Sequence, residues 1–461
     1  MLNILFRVLS VNALALILKI VGGFLFPRFM TTQAYSEYQT FSLYLSYLPI
    51  LCLGLSTGMF VKYGGQSLMS LDKARYKSEF CLLSLILALF SVLFLVCCLF
   101  WPNRMLLYIA ICVFPYCMSS SFQSLFQAWG EFKKHNLVQI LTTCVPLAGS
   151  MILLIVLERL EADWFIWLFC AIYTAVTVWI CTGTVKLTNS TKAAPILDQS
   201  NLDTWKTGLA ICIGGYIHVL IHSLDKQIVK MVFDVDDFAR YSFALSLQSV
   251  ITVFITAISQ PMYHFLAKGE IERKDYTTLL RILMMLGAFG GVAYYGCSFV
   301  VSWLLPSYQQ SLDIIAIYFM TFPAMAVINC LYINLYKLCR MKKQYIIRLL
   351  SVFVLSVLLN ILLLTWRREL SSVVTATAMV YYIWLVCEAI TFRDAGFSLQ
   401  DGLFLVGYLS VYAVCMGIPG TVMSAAVYFL AISVLCFLIY RMEARFALKY
   451  LLKRVSWIRG S

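Results

Sequence analysis

Apolar residues in this chain fall in long, nearly unbroken runs, not in the alternating or 3.6-residue stripes of a half-buried strand or helix. The runs cover approximately residues 5–27, 39–61, 79–101, 104–128, 137–157, 163–185, 206–232, 240–266, 278–304, 311–337, 346–366, 371–391, 403–419 and 423–440. Most match the roughly 20 apolar residues that a helix needs to cross hydrocarbon. The pattern predicts an all-α integral membrane protein of about fourteen transmembrane helices, or twelve if the two short final runs do not cross. Arg7 ahead of the first run resembles a secretory signal. The run continues to Phe26 with no small-residue cleavage site, so it is expected to stay as an uncleaved first span. The longest polar loop, about 186–205, predicts a cytoplasmic linker and hinge between a six-helix bundle over 1–185 and a second over 206–391. Residues 392–461 would add two helices and a basic cytoplasmic tail.

Composition removes the soluble alternative. The chain is 62% hydrophobic and 12% charged, against about 45–50% and about 25% in soluble domains. A net charge of +13 would suggest nucleic acid in a soluble protein. Here its placement carries the information, and no nucleic-acid partner is expected. With the amino terminus in the cytoplasm, 26 of the 35 Lys and Arg fall in inner loops and tails and six in outer loops. That bias predicts both termini in the cytoplasm. The sixteen cysteines include no C-x-x-C pair and lie mostly in apolar segments, as small fillers. No metal or other cofactor is expected. No loop is long enough for an appended catalytic module, which weighs against a membrane polysaccharide polymerase or a lipid-sugar glycosyltransferase.

Charges inside hydrocarbon are costly unless they face protein or water, so each needs a reason. Lys19 lies about two-thirds through span 1. It reads as a lining cation for an anionic group, or as an ion-pair partner or snorkelling residue. Span 7 carries His218, His222, Asp225, Lys226 and Lys230. On a helical wheel these fall at about 0°, 40°, −20°, 80° and 120°, with Gly214 and Gly215 in the same sector. Such a stripe is expected to face a wet cavity. His218 and His222 could hold a metal at i, i+4, but no helical Glu or third ligand accompanies them. Asp225 reads as the partner of Lys226 or as a carboxylate that protonates during transport. His264 reads as structural, and Glu388 as the interfacial partner of Arg393. Asp234-Val-Asp236 mimics a glycosyltransferase D-x-D but sits in a short turn.

A repeat emerges from the loops. Tyr35-Ser-Glu-Tyr38 follows span 1, and Phe238-Ala-Arg-Tyr241 follows span 7. Aligned on Tyr38 and Tyr241, Lys19 falls opposite His222, and Arg28 falls one position from Lys230. Span 7 enters from the same side as span 1, so the repeat is parallel. Three stretches then resemble the polysaccharide flippase family of the multidrug/oligosaccharidyl-lipid/polysaccharide exporter superfamily. They are 16–65 (LILKIVGGFLFPRFMTTQAYSEYQTFSLYLS and LGLSTGMFVKYGG), 125–136 (LFQAWGEFKKHN) and 223–270 (SLDKQIVKMVFDVDDFARYSFALSLQ to ISQPMYHFLAKGE). A usual glycine before spans 2 and 8 is replaced by Ser36 and Arg240.

The resemblance implies two parallel-repeat bundles around a central cavity, in a bacterial cytoplasmic membrane. The implied activity is alternating-access movement of a polyprenyl-diphosphate-linked oligosaccharide from the cytoplasmic to the outer leaflet. Lys19, Arg28, Lys226 and Lys230 would attract the diphosphate, His218 and His222 would donate hydrogen bonds, and Asp225 would serve coupling. The chain would be no enzyme. Its partners would be the lipid-linked oligosaccharide, membrane lipids and the polysaccharide assembly machinery. A cation-coupled drug exporter of the same superfamily is the alternative, which an acidic cavity would suit better than this cationic stripe.

Overall fold

The computed structural model describes residues 2–66, 71–196, 198–267, 275–339 and 341–445. The side chains of 2–10, 12, 210 and most of 249–267, His264 among them, lie outside that description, as do Lys268, Arg273, Lys274, Arg340 and the tail from 446. All regular structure among the described residues is helical.

Among the described residues fourteen long helical elements follow the predicted order. They are α1 (Leu2–Phe29), α2 (Thr32–Cys52 continued by Leu55–Tyr63), α3 (Lys73–Phe100), α4 (Arg104–Ala128), α5 (Phe132–Ile155), α6 (Ala162–Thr188), α7 (Gln199–Val232), α8 (Val235–Ala267), α9 (Tyr276–Leu304), α10 (Ser311–Met320 continued by Phe322–Leu338), α11 (Lys342–Trp366), α12 (Leu370–Thr391), α13 (Leu399–Met416) and α14 (Thr421–Ile439). Ten are long and apolar enough to cross a bilayer, and the bent pairs α2 and α10 make twelve among the described residues. Helices α1 and α8, of 28 and 33 residues, exceed the roughly 20-residue minimum and stand where spans 1 and 8 were expected. The short final runs are helices of 18 and 19 residues that both qualify. The chain is a multi-pass membrane protein.

Polar caps set several helix starts beyond the apolar runs. The Asp72 carboxylate accepts from Ala74 and Arg75 N–H, so α3 begins at Lys73, six residues before its apolar run. Thr31, Asn103 and Asp198 cap α2, α4 and α7 in the same way. Each satisfies N–H groups that the first helical turn leaves open.

Two spans read as straight in the sequence are broken. Helix α2 bends by 64° and α10 by 48°. At the first break Leu53 and Gly54 have φ of +48° and +82°, a left-handed pair that costs little at glycine but is strained at leucine. At the second, Pro323 has no N–H for the carbonyl four residues back, Phe319.

The chain packs as two compact units, Met1–Ala239 and Arg240–Ser461. In the first, α3 packs on α4, α4 and α5 on α6, α1 on α5, and α7 on the second arm of α2. In the second, α9 packs on α10 and α14, α12 on α10 and α11, and α13 on α14. The expected division at 186–205 thus differs from the packing boundary, which falls in the first turns of α8. The reason is local. Ala194 N–H donates to the Ala74 carbonyl at 3.1 Å, Ser78 to the Pro195 carbonyl at 3.1 Å, and Asn201 to the Ser78 hydroxyl at 2.7 Å. Lys77 donates to the Thr191 carbonyl at 3.0 Å. The loop expected to be a hinge is bonded to the start of α3.

Candidate functional site

The polar stripe of α7 divides into two groups and a buried residue. The rings of His218 and His222 meet edge to face, 4.4 Å between centroids. His222 is exposed, His218 half-buried and Asp225 buried. Lys226 reaches across to α2, where its Nζ donates to Gln39 Oε1 at 2.7 Å. Gln39 in turn donates through Nε2 to the Tyr35 hydroxyl at 2.8 Å. Lys226 and Lys230 share the ring of Phe238, at 5.7 and 4.9 Å from its centroid.

Among the described residues neither lysine has a carboxylate within ion-pair distance. Their nearest neighbours are an amide oxygen and an aromatic face, with Glu37 of α2 acting on Lys230 from further off. Two lysine side chains one helical turn apart thus meet at one aromatic ring. Chemically the group can hold phosphate oxygens or other multivalent anions.

Lys19 and Arg28 are both exposed on α1, which packs on α5. Among the described residues no hydrogen bond or ion pair joins Lys19 to the α7 group. The structure therefore brings Lys226 to Lys230 and His218 to His222, and leaves Lys19 apart. Gln39 and Phe238 were missed as site residues, because neutral side chains in apolar helices carry no charge signal. One clue was present. Tyr35 and Phe238 are the leading aromatics of the repeated motif, and the structure sets both around Lys226.

Other charges have structural employment. Asp234 caps α8, its carboxylate accepting from Asp237 N–H at 2.8 Å. Glu388 does not pair with Arg393 as expected. Arg348 of α11 lies 3.3 Å away, and Tyr336 and Trp384 donate to the carboxylate at 2.7 Å each. Arg393 is the nearer basic residue in sequence, but it sits past the helix end. Among the described residues no group of three His, Cys, Asp or Glu could hold a metal ion.

A second polar cluster went unread in the sequence. Glu79 of α3 is fully buried and accepts from Lys62 Nζ at 2.5 Å and from the Tyr63 hydroxyl at 2.7 Å, both on α2. The Thr204 hydroxyl of α7 lies 3.0 Å from the same carboxylate. Glu79 stands at the first position of its apolar run, and the early start of α3 carries it inside.

No family model matches the chain, and no curated protein matches it. Four chains of solved structure match. One is the lipid II flippase MurJ in an inward closed conformation, with a TM-score of 0.69 at 12% identity over 94% of this chain and 98% of that one. The α-helical membrane fold described above is thus similar to that of the lipid II flippase MurJ.

Proposed function

We propose that the chain is a flippase that moves a lipid-linked oligosaccharide across the bilayer by alternating access, and not an enzyme. The observation that carries this reading is a likeness to a lipid II flippase over nearly the full length of both chains. The Lys226–Lys230 pair, gathered on the Phe238 ring, supports it. A diphosphate cannot cross hydrocarbon unaided, and two adjacent ammonium groups suit its charge. Lys19, Arg28, His218 and His222 belong to the same proposal as groups that meet the headgroup, and Asp225 as the coupling carboxylate. The cargo would be a polyprenyl-diphosphate-linked glycan of a bacterial surface polysaccharide, taken from the cytoplasmic to the outer leaflet. Both termini would lie in the cytoplasm, and the assembly machinery would receive the product.

The test is deletion of the gene, followed by mass analysis of polyprenyl-linked sugars and of the leaflet that holds them. Accumulation on the cytoplasmic leaflet, reversed by the wild-type gene, is the expected result. Unchanged lipid-linked sugars together with increased sensitivity to cationic drugs would transfer the assignment to an exporter.

A further inference from the structure

The inner half of α7 is attached to α2 by a seam of unusual make. Gly54, Gly58 and Gly208 bring backbone against backbone. A Cβ on Gly208 would stand 2.0 Å from the Gly54 carbonyl oxygen, and one on Gly58 would stand 2.0 Å from that of Thr204. Around this contact, α7 side chains bond to backbone groups that the α2 break leaves open. Trp205 Nε1 donates to the Leu53 carbonyl at 2.7 Å, and the Tyr216 hydroxyl to the Pro49 carbonyl at 2.7 Å. Cys212 Sγ lies 2.8 Å from Thr57 Oγ1. At the end of the seam, Glu79 holds Lys62 and Thr204 together.

Three properties separate this seam from ordinary packing. Its bonds are polar, so water can replace each one as it opens, whereas interlocked apolar side chains gain nothing from water. It lies at a discontinuity, where Leu53 and Gly54 at positive φ can absorb a change of backbone angle. Within its unit, α7 packs on α2 and the start of α3, while Leu209, Ile211 and Ile213 on its other faces are exposed.

We propose that this seam is a moving joint, which parts and re-forms in each transport cycle as α7 swings away from the second arm of α2. The proposal rests on the flippase reading for the word transport, and on the geometry for the joint. Broken helices at membrane depth persist where they line water or are covered by protein. The seam provides the covered state, and parting requires a hydrated one.

The Thr57–Cys212 contact supplies the test. Thr57→Cys is introduced with native Cys212 retained and the other cysteines replaced, and the protein is reconstituted in vesicles. Oxidation should join α2 to α7 in the bonded state. Transport of a lipid-linked sugar is expected to fall by roughly tenfold or more and to recover on reduction, because a conformational step is then blocked. The protein with Cys212 alone should be indifferent to oxidation. Full transport by the cross-linked protein would overturn the joint while leaving the flippase reading intact. If the reduced protein transports nothing, the flippase reading fails and the joint is judged separately. Cys212 is buried, so its reaction with a water-soluble maleimide in the Cys212-only protein would support parting, and lasting protection would overturn it.

Discussion

The two broken helices lie at different positions of the repeat. Helix α2 is second in the first set of six, whereas its counterpart α8 runs 33 residues without a described break. Helix α10 is fourth in the second set, and its counterpart α4 is continuous despite Pro115. The covers differ as well. The α10 break is sealed by tyrosines: Tyr408 and Tyr412 of α13 donate to the Phe319 and Ala316 carbonyls at 3.1 Å, and Tyr382 of α12 to the Met320 carbonyl at 2.5 Å. These tyrosines pack in a dense aromatic cluster, with Tyr412 beside Tyr294, Tyr408 and Tyr428. The α2 break is covered on one side by α7, with glycine at the contact, and on another by α4, whose Cys117 donates to the Leu48 carbonyl at 3.2 Å. One break is sealed by tyrosine hydroxyls, and the other by a backbone-to-backbone glycine contact that the proposed joint would open.

Anchoring charges follow the same division. In the second unit Arg281 of α9 binds Asp401 at 3.1 Å and Glu443 at 2.7 Å, and Tyr440 donates to Asp401 at 2.8 Å. A planar guanidinium can serve two carboxylates at once and fixes helices in register. In the first unit the cation at Glu79 is a lysine, a compact point charge on a flexible stem, helped by hydroxyls.

The comparison is broken most severely by truncation. Ending the chain before α13 would remove Tyr408 and Tyr412 from the α10 break and leave Arg281 without Asp401 and Glu443. Loss of folded protein from the membrane is expected, measured as monodisperse yield in detergent; normal yield would mean that α13 and α14 are accessory. Next comes Gly208→Leu, which forces a side chain into the Gly54 carbonyl. A cost of about 3 kcal/mol or more is expected from overpacking and the broken seam, read as a fall in thermal midpoint.

Paired tyrosine deletions sharpen the contrast. Tyr408→Phe and Tyr216→Phe each take one hydroxyl donor from a carbonyl, at about 1 kcal/mol. Tyr408→Phe should lower stability and leave transport per folded molecule unchanged. Tyr216→Phe should alter both, since it also shifts the balance between joined and parted seam. Identical behaviour of the two would erase the distinction between the two covers. The smallest effect concerns the α7 stripe. In a cysteine-free background, cysteine at His222 should react with a water-soluble maleimide several-fold faster than cysteine at Asp225, since the first position is exposed and the second buried. Equal rates would show that the two positions exchange surroundings.

Hydropathy made the spans legible because each must present an apolar surface to lipid over a fixed length. It is blind to bends. LCLGLSTG at 51–58 is as apolar on either side of Gly54 as a straight helix would be, and Pro323 sits in an equally apolar run. The stripe on α7 was legible through its charges, whereas Gln39 became visible only when Lys226 was seen to reach it. Sequence proximity misled at Glu388, whose partner Arg348 lies 40 residues earlier on the neighbouring helix. Long-range pairs of this kind are set by packing, which one sequence does not display.

The attachment of α7 also bears on how the chain is completed during synthesis. By order of elements α7 opens the second set of six, yet its Trp205 and Tyr216 donate to carbonyls of the first. A polypeptide ending with α6 would leave the Leu53 and Pro49 carbonyls without these two donors. The first compact unit, Met1–Ala239, is therefore finished only once the seventh helix has followed the sixth into the membrane.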